Sequence, residues 1–177
     1  MTSSYDSLGI RPIINAQATL TMFGGSLMPE EVRKAMDQAA GSFVDLHQLQ
    51  LSVGERLAEL THNEAAYVSC GAASGLLLAT AACISRHTAD AYEDFSKLNG
   101  VPNEVIVQKM HRNSYDYAVQ EAGAKMVEIG SNEGTQVEDL ERAVSPATVA
   151  IFWFQGAMND PSELSLKDVI QIGRAHV

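Results

Sequence analysis

The stretch AAYVSCGAASGLLLATAACIS, Ala65 to Ser85, decides how the rest of the chain is read. A short apolar run, Ala65 to Val68, breaks at Ser69-Cys70-Gly71-Ala72-Ala73-Ser74-Gly75, and a long apolar helical pattern follows at once. The run predicts a strand, and the pattern predicts a helix to about Ser85. Small residues at such a junction let another molecule approach the backbone. The first N–H groups of a helix have no intrahelical partner, and the helix dipole makes that end positive. Strand, small-residue loop and helix start together form a phosphate site. Tight packing of a helix on a sheet asks for the same Gly and Ala residues, so the stretch alone leaves both readings open.

Outward from this junction the chain alternates. RPIINA (Arg11–Ala16) is a short extended segment fixed by Pro12. MPEEVRKAMDQAAG predicts a helix: Pro29 sits in its first turn, Glu30 and Glu31 face the positive end, and Gly41 marks the stop. LHQLQLSVGERLAELT predicts a second, with Leu46, Leu49, Val53, Leu57 and Leu60 at helical spacing. His87 to Pro102 is irregular and acidic, with Asn99-Gly100 as a turn signal. EVIVQKM (Glu104–Met110), KMVEIG and ATVAIFWFQ read as strands; SYDYAVQEAGA, VEDLERAV and SLKDVIQ read as the helices between and after them. Continuous apolar strands alternating with helices imply an α/β fold, a mostly parallel sheet with helices on both faces. Ligands of such sheets bind beyond the carboxyl ends of the strands. The dinucleotide fingerprint G-x-G-x-x-G is absent from the sequence.

Composition narrows the function classes. Of 177 residues, 46% are hydrophobic and 19% charged, which is enough apolar material for one domain with a core. The longest uncharged apolar run, Gly75–Ile84, is too short to span a bilayer, and MTSSYDSLGIRP lacks the pattern of a signal peptide. Cys70 and Cys83 have no metal-ligand spacing, and free thiols point to a cytoplasmic protein. A net charge of −10 argues against a large nucleic-acid footprint. At the other end, IGRAHV (Ile172–Val177) matches one reading frame of a common sequencing adapter. It is expected to be a foreign tail that makes few contacts and does not continue the preceding apolar stripe.

The polar cluster HRNSYD, His111 to Asp116, directly follows an apolar strand and precedes a helix. Ser114 can cap that helix, and His111 can be an ordinary half-buried imidazole. At the same sheet edge as a phosphate cradle, a flat imidazole can also stack on an aromatic cofactor. After AIFWF come Gln155, Gly156 and Asn159, amides able to hydrogen-bond a ring hydroxyl or to cap a turn before Pro161. Strand alternation puts Lys109 on the side of Val105, Val107 and His111, as a lysine at the edge of the core.

The order RPIINAQATLTMFGGSLMPEEV, AAYVSCGAASGLLLA, VIVQKMHRNSYDYAVQEAGAKMVEIG, then a strand ending in an amide turn, resembles pyridoxal-phosphate enzymes of the aspartate-aminotransferase fold, also called fold type I. Within it the chain is most similar to the selenocysteine-synthase-like group, which includes L-seryl-tRNA selenium transferases and sugar-acid-phosphate ammonia-lyases. The resemblance covers Leu8 to Ile170. It implies pyridoxal 5'-phosphate as cofactor, with the Cys70-Gly71-Ala72-Ala73 loop on the phosphate, His111 stacked on the pyridine ring and Gln155 near its hydroxyl. It implies that the Schiff-base lysine and the aspartate on the ring nitrogen lie beyond Val177, in an N-terminal fragment of the large domain. The domain reading that follows is 1–28 as an N-terminal segment, 29–171 as a partial cofactor domain and 172–177 as the tail.

For the intact protein the resemblance implies a lyase or transferase of the β-elimination type. Its substrate would be a small molecule, an amino acid or amino-sugar acid. The fragment alone would be inactive. Ala18–Pro29 is similar to the N-terminal segment that lines a shared site in homo-oligomers of this fold. A selenium transferase acting on tRNA is the alternative that the acidic charge weakens. A non-catalytic α/β interaction module is the alternative outside enzymes.

Overall fold

A computed structural model describes residues 5–17, 19–86, 100–155 and 163–175. The chain divides into two compact units, Met1–Val53 and Gly54–Val177. The first unit holds short 3-10 turns at Asp6–Leu8 and Thr21–Phe23, helix α1 (Glu30–Ala40) and the start of helix α2 (Leu46–Thr61). Pro29 stands at the N-cap of α1 and Gly41 at its C-cap, as the sequence signals predict. This unit carries large apolar side chains on its surface, with Ile14 100%, Leu27 97% and Phe43 108% exposed.

The second unit is built on three parallel strands in the order β2-β1-β3: β1 Glu104–Gln108, β2 Lys125–Ile129 and β3 Thr148–Phe152. Helices α3 (Ala72–Ser85), α4 (Asp116–Glu121), α5 (Val137–Ala143) and α6 (Leu166–Ala175) complete it. β1 is the middle strand, and Val105, Ile106 and Val107 are each 2% exposed or less. Its alternating side chains feed two cores. Ile106 packs with Ile129, Leu140, Leu164, Val169 and Ile172 beneath α5 and α6. Val105 packs with Ile84, Val119 and Ala124 beneath α3 and α4. The expected sheet with helices on both faces is the one observed.

Three local expectations need correction. Ala65–Val68 is not a strand of this sheet but an irregular extended segment. It lies on α2 so closely that a Cβ on Gly54 would stand 2.5 Å from the Ala66 carbonyl oxygen. Only Ala66 is half-buried there, while Ala65, Tyr67 and Val68 stay exposed. Second, the strand predicted to reach Met110 ends at Gln108, and Lys109–His111 forms a 3-10 turn. The turn breaks the alternation, so Lys109 is exposed while His111 is buried. Third, Ile172 is 9% exposed and belongs to the core under α6, and Gly173 lies against Ile151. The apolar stripe of α6 therefore does continue into IGRAHV. His176 and Val177 lie outside the described residues, as do His87–Asn99, Ala18, Gly156, Asn159 and Pro161.

At the amino end of the sheet, Glu104 accepts hydrogen bonds from Lys125 Nζ at 2.8 Å and Ser145 Oγ at 2.9 Å, tying β1 to β2 and to the turn before β3. Those two bonds, the lysine's first, hold its carboxyl below the ordinary range. A carboxyl whose folded pKa is depressed stabilises the fold above its unfolded pKa, and that contribution fades as pH falls through the folded value. Stability of the wild-type chain should fall between about pH 5 and pH 2, and Glu104→Gln should flatten part of that fall. Urea unfolding midpoints across the range test it; parallel pH profiles for the two proteins would contradict it. In the same assay Gly54→Ala should destabilise by about 1–3 kcal/mol through overpacking on Ala66.

Candidate functional site

The first turn of α3 is a bare helix start. Gly71 is its N-cap, with φ 147° and ψ 177°, and no side chain caps the N–H groups that follow. A Cβ on Gly71 would meet nothing within 4 Å, but its positive φ disfavours any other residue. Ser69 Oγ donates to the Gly71 carbonyl at 3.0 Å and holds the loop in shape. Cys70, Gly71 and Ala72 are exposed and Ala73 is half-buried. The last turn of α3 packs on the amino-terminal half of β1 through Ile84 and Val105. Beside this loop is a cavity of about 510 Å³ lined by Tyr67, Ser69, Gly75, Leu78, Ala79 and Ala82.

His111 stands at the carboxyl end of the sheet, just past β1. Its ring is buried, with the residue 3% exposed, rather than lying open as a flat stacking surface. It meets Trp153 edge-on, with centroids 5.8 Å apart and an interplanar angle of 82°. The Phe154 backbone N–H donates to Nδ1 at 3.1 Å, and Gln108 Nε2 lies 3.4 Å from the same nitrogen. Nε2 is 3.3 Å from Glu163 Oε2 but makes no well-aligned hydrogen bond, so it is a buried polar atom without a partner. Gln108 is fixed in turn: its Oε1 accepts the Leu164 N–H at 2.9 Å. Gln155, next to Phe154, is exposed.

The rest of HRNSYD is structural. Asn113 Oδ1 accepts the Tyr115 N–H at 2.8 Å and its amide donates to the His111 carbonyl, so Asn113, not Ser114, shapes the start of α4. Arg112 bridges Asp116 at 2.5 Å and Glu128 at 2.8 Å, which locks α4 to β2. The Asp116 bond, above all, raises the guanidinium pKa further. Gln108, Trp153 and Glu163 were not singled out in the sequence. A glutamine inside the apolar run EVIVQKM was the one signal that a buried polar contact lies there. Among the described residues no group of acidic, histidine and cysteine side chains is placed to hold a metal ion. None of the described helices is long and apolar enough to cross a membrane.

No family model matches the chain. It is 32% identical over 182 residues to a 5'-C-glycyluridine monooxygenase-decarboxylase from Streptomyces sp, covering 99% of this chain and 46% of that protein. It is 29% identical over 177 residues to the D-glucosaminate-6-phosphate ammonia lyase of Salmonella typhimurium, covering 97% and 48%. An L-seryl-tRNA(Sec) selenium transferase of Geotalea uraniireducens matches at 23%, covering 98% and 39%. The solved structure of a D-glucosaminate-6-phosphate ammonia-lyase superposes with a TM-score of 0.91 at 28% identity, over 98% of this chain and 48% of that one. The chain thus spans about half, or less, of the length of the curated relatives it matches. It is a homologue of these enzymes and has the fold of the amino-terminal part of the ammonia-lyase.

Proposed function

We propose that the chain carries the cofactor-anchoring part of a pyridoxal-phosphate-dependent lyase or transferase acting on a small amino acid or amino-sugar acid. What supports this reading is the uncapped, small-residue first turn of α3, which we place at the carboxyl end of the sheet with His111. The residues present fit the group. The cradle is open, uncapped and made of small residues. Bound there, the cofactor would supply an electron sink for a carbanion at the substrate's α-carbon. The chain's own part is anchorage: the N–H groups of Ala72 and Ala73 take the phosphate and Gly71 lets it come close. The Gln155 amide would orient the ring through its hydroxyl, and Cys70 flanks the phosphate loop.

The names of the relatives support the substrate class. Glucosaminate, glycyluridine and seryl-tRNA all carry an amino-acid unit on a larger polar body. Ammonia loss from an amino-sugar acid is the reading that the ammonia-lyase superposition favours. Decarboxylation of a glycyl unit is the second reading, favoured by the 32% identity to the decarboxylase. A tRNA partner suits a chain of net charge −10 poorly. A second copy of the chain is the partner assigned to the apolar surface of Ile14, Leu27 and Phe43, and a reducing, cytoplasmic setting suits the free thiols Cys70 and Cys83.

Binding should depend on the phosphate. Pyridoxal 5'-phosphate should bind at least about tenfold more tightly than pyridoxal, a difference worth about 1.4 kcal/mol. Gly71→Ala, strained at its positive φ, should erase most of that ratio. Equilibrium dialysis of both ligands measures it, and equal affinities for wild type would overturn the reading. Reduction with borohydride in the same mixtures should give weak labelling spread over exposed lysines. Stoichiometric modification of Lys109 would contradict the assignment of purely anchoring residues.

A further inference from the structure

Both nitrogens of His111 are directed at the chain that follows β3. Nδ1 faces two donors, the Phe154 N–H at 3.1 Å and the Gln108 amide nitrogen at 3.4 Å. The Gln108 amide cannot turn over, because its oxygen accepts the Leu164 N–H at 2.9 Å. An imidazole nitrogen between two donors carries no proton, so the ring proton sits on Nε2, 3.3 Å from Glu163 Oε2. Gln108 is itself 3% exposed, so this arrangement is shielded from water that would otherwise compete for it.

We propose that His111 is a positioning residue whose proton-free Nδ1, kept so by Gln108, fixes the Phe154 backbone and thereby aims Gln155 at the carboxyl end of the sheet. Phe154 immediately precedes Gln155, so a fixed N–H at Phe154 sets the peptide from which the Gln155 side chain departs. The inference rests on the proposed function only for what Gln155 touches; the tautomer and the hydrogen bond stand without it.

A packing role and a positioning role make opposite demands. Edge contact with Trp153 needs an aromatic ring, which His111→Phe keeps while losing the acceptor. His111→Asn loses the ring and keeps an acceptor oxygen near the place of Nδ1. In the isotope-labelled full chain, long-range nitrogen–proton correlation spectra should show the His111 proton on Nε2. A proton on Nδ1 in the wild-type chain would overturn the proposal without any variant. Amide exchange at Phe154 should run about tenfold faster in His111→Phe and return most of the way in His111→Asn. Unchanged protection in His111→Phe would overturn the proposal. If His111→Phe does not fold, retained Phe154 protection in His111→Asn supports it, and lost protection there overturns it. Failure of pyridoxal 5'-phosphate to bind, with these exchange rates as expected, would overturn the proposed function and leave the positioning role standing. Binding with Phe154 exchange unmoved in His111→Phe would do the reverse.

Discussion

A strand buried on both faces has no solvent for its polar groups, and β1 ends in one. Gln108 lies 3% exposed at the end of a run of valine and isoleucine. An amide left unsatisfied there would cost about 1–3 kcal/mol. The fold meets that demand from two directions, with the Leu164 N–H from the approach to α6 and the His111 ring from the turn after β1. Trp153 Nε1 donates to the Leu164 carbonyl at 3.0 Å, closing the same network onto the end of β3. One buried side chain thus gathers the carboxyl ends of two strands and the segment leading to a helix. This is the end of the sheet where parallel α/β folds place their ligands.

Much of this was legible in the sequence because the signals were local. Pro29 and Gly41 bracket α1, the leucine spacing of α2 matches its observed span, and the apolar strands appear in the predicted order. Two of the failures share one cause: each depended on a neighbour far along the chain. Whether Ala65–Val68 forms a ladder or lies on a helix is decided by Gly54, whose missing side chain lets the Ala66 carbonyl close in. Whether Ile172 is core is decided by the space between α6 and the sheet rather than by the hexapeptide around it. Of the proposed site, the small-residue loop before α3 and the polar cluster after β1 stand out from residue type and order. The contacts of His111 with Phe154 and of Gln108 with Leu164 do not, because they join residues 43 and 56 positions apart.

The proposed anion cradle sits in a chain of net charge −10, and range reconciles the two. At physiological ionic strength the Debye length is about 8 Å, so distant carboxylates are largely screened. The N–H groups of the first turn act at hydrogen-bond distance, where the helix dipole also concentrates. Several of the carboxylates are in any case committed to nearby cations. Glu104 is held by Lys125, Asp139 by Arg142, and Asp116 and Glu128 share Arg112. In the proposed site, local backbone geometry would decide anion binding, whatever the charge of the distant surface.

The central claim is that the first turn of α3 and His111 belong to one site at the carboxyl end of the sheet. The most direct measurement is a crystal structure of the chain grown with pyridoxal 5'-phosphate. The account predicts the phosphate on the backbone N–H groups of Ala72 and Ala73, with the ring directed toward the β1 end where His111 sits and His111 Nδ1 still bonded to Phe154. A phosphate bound elsewhere, or a ring directed away from His111, would contradict it.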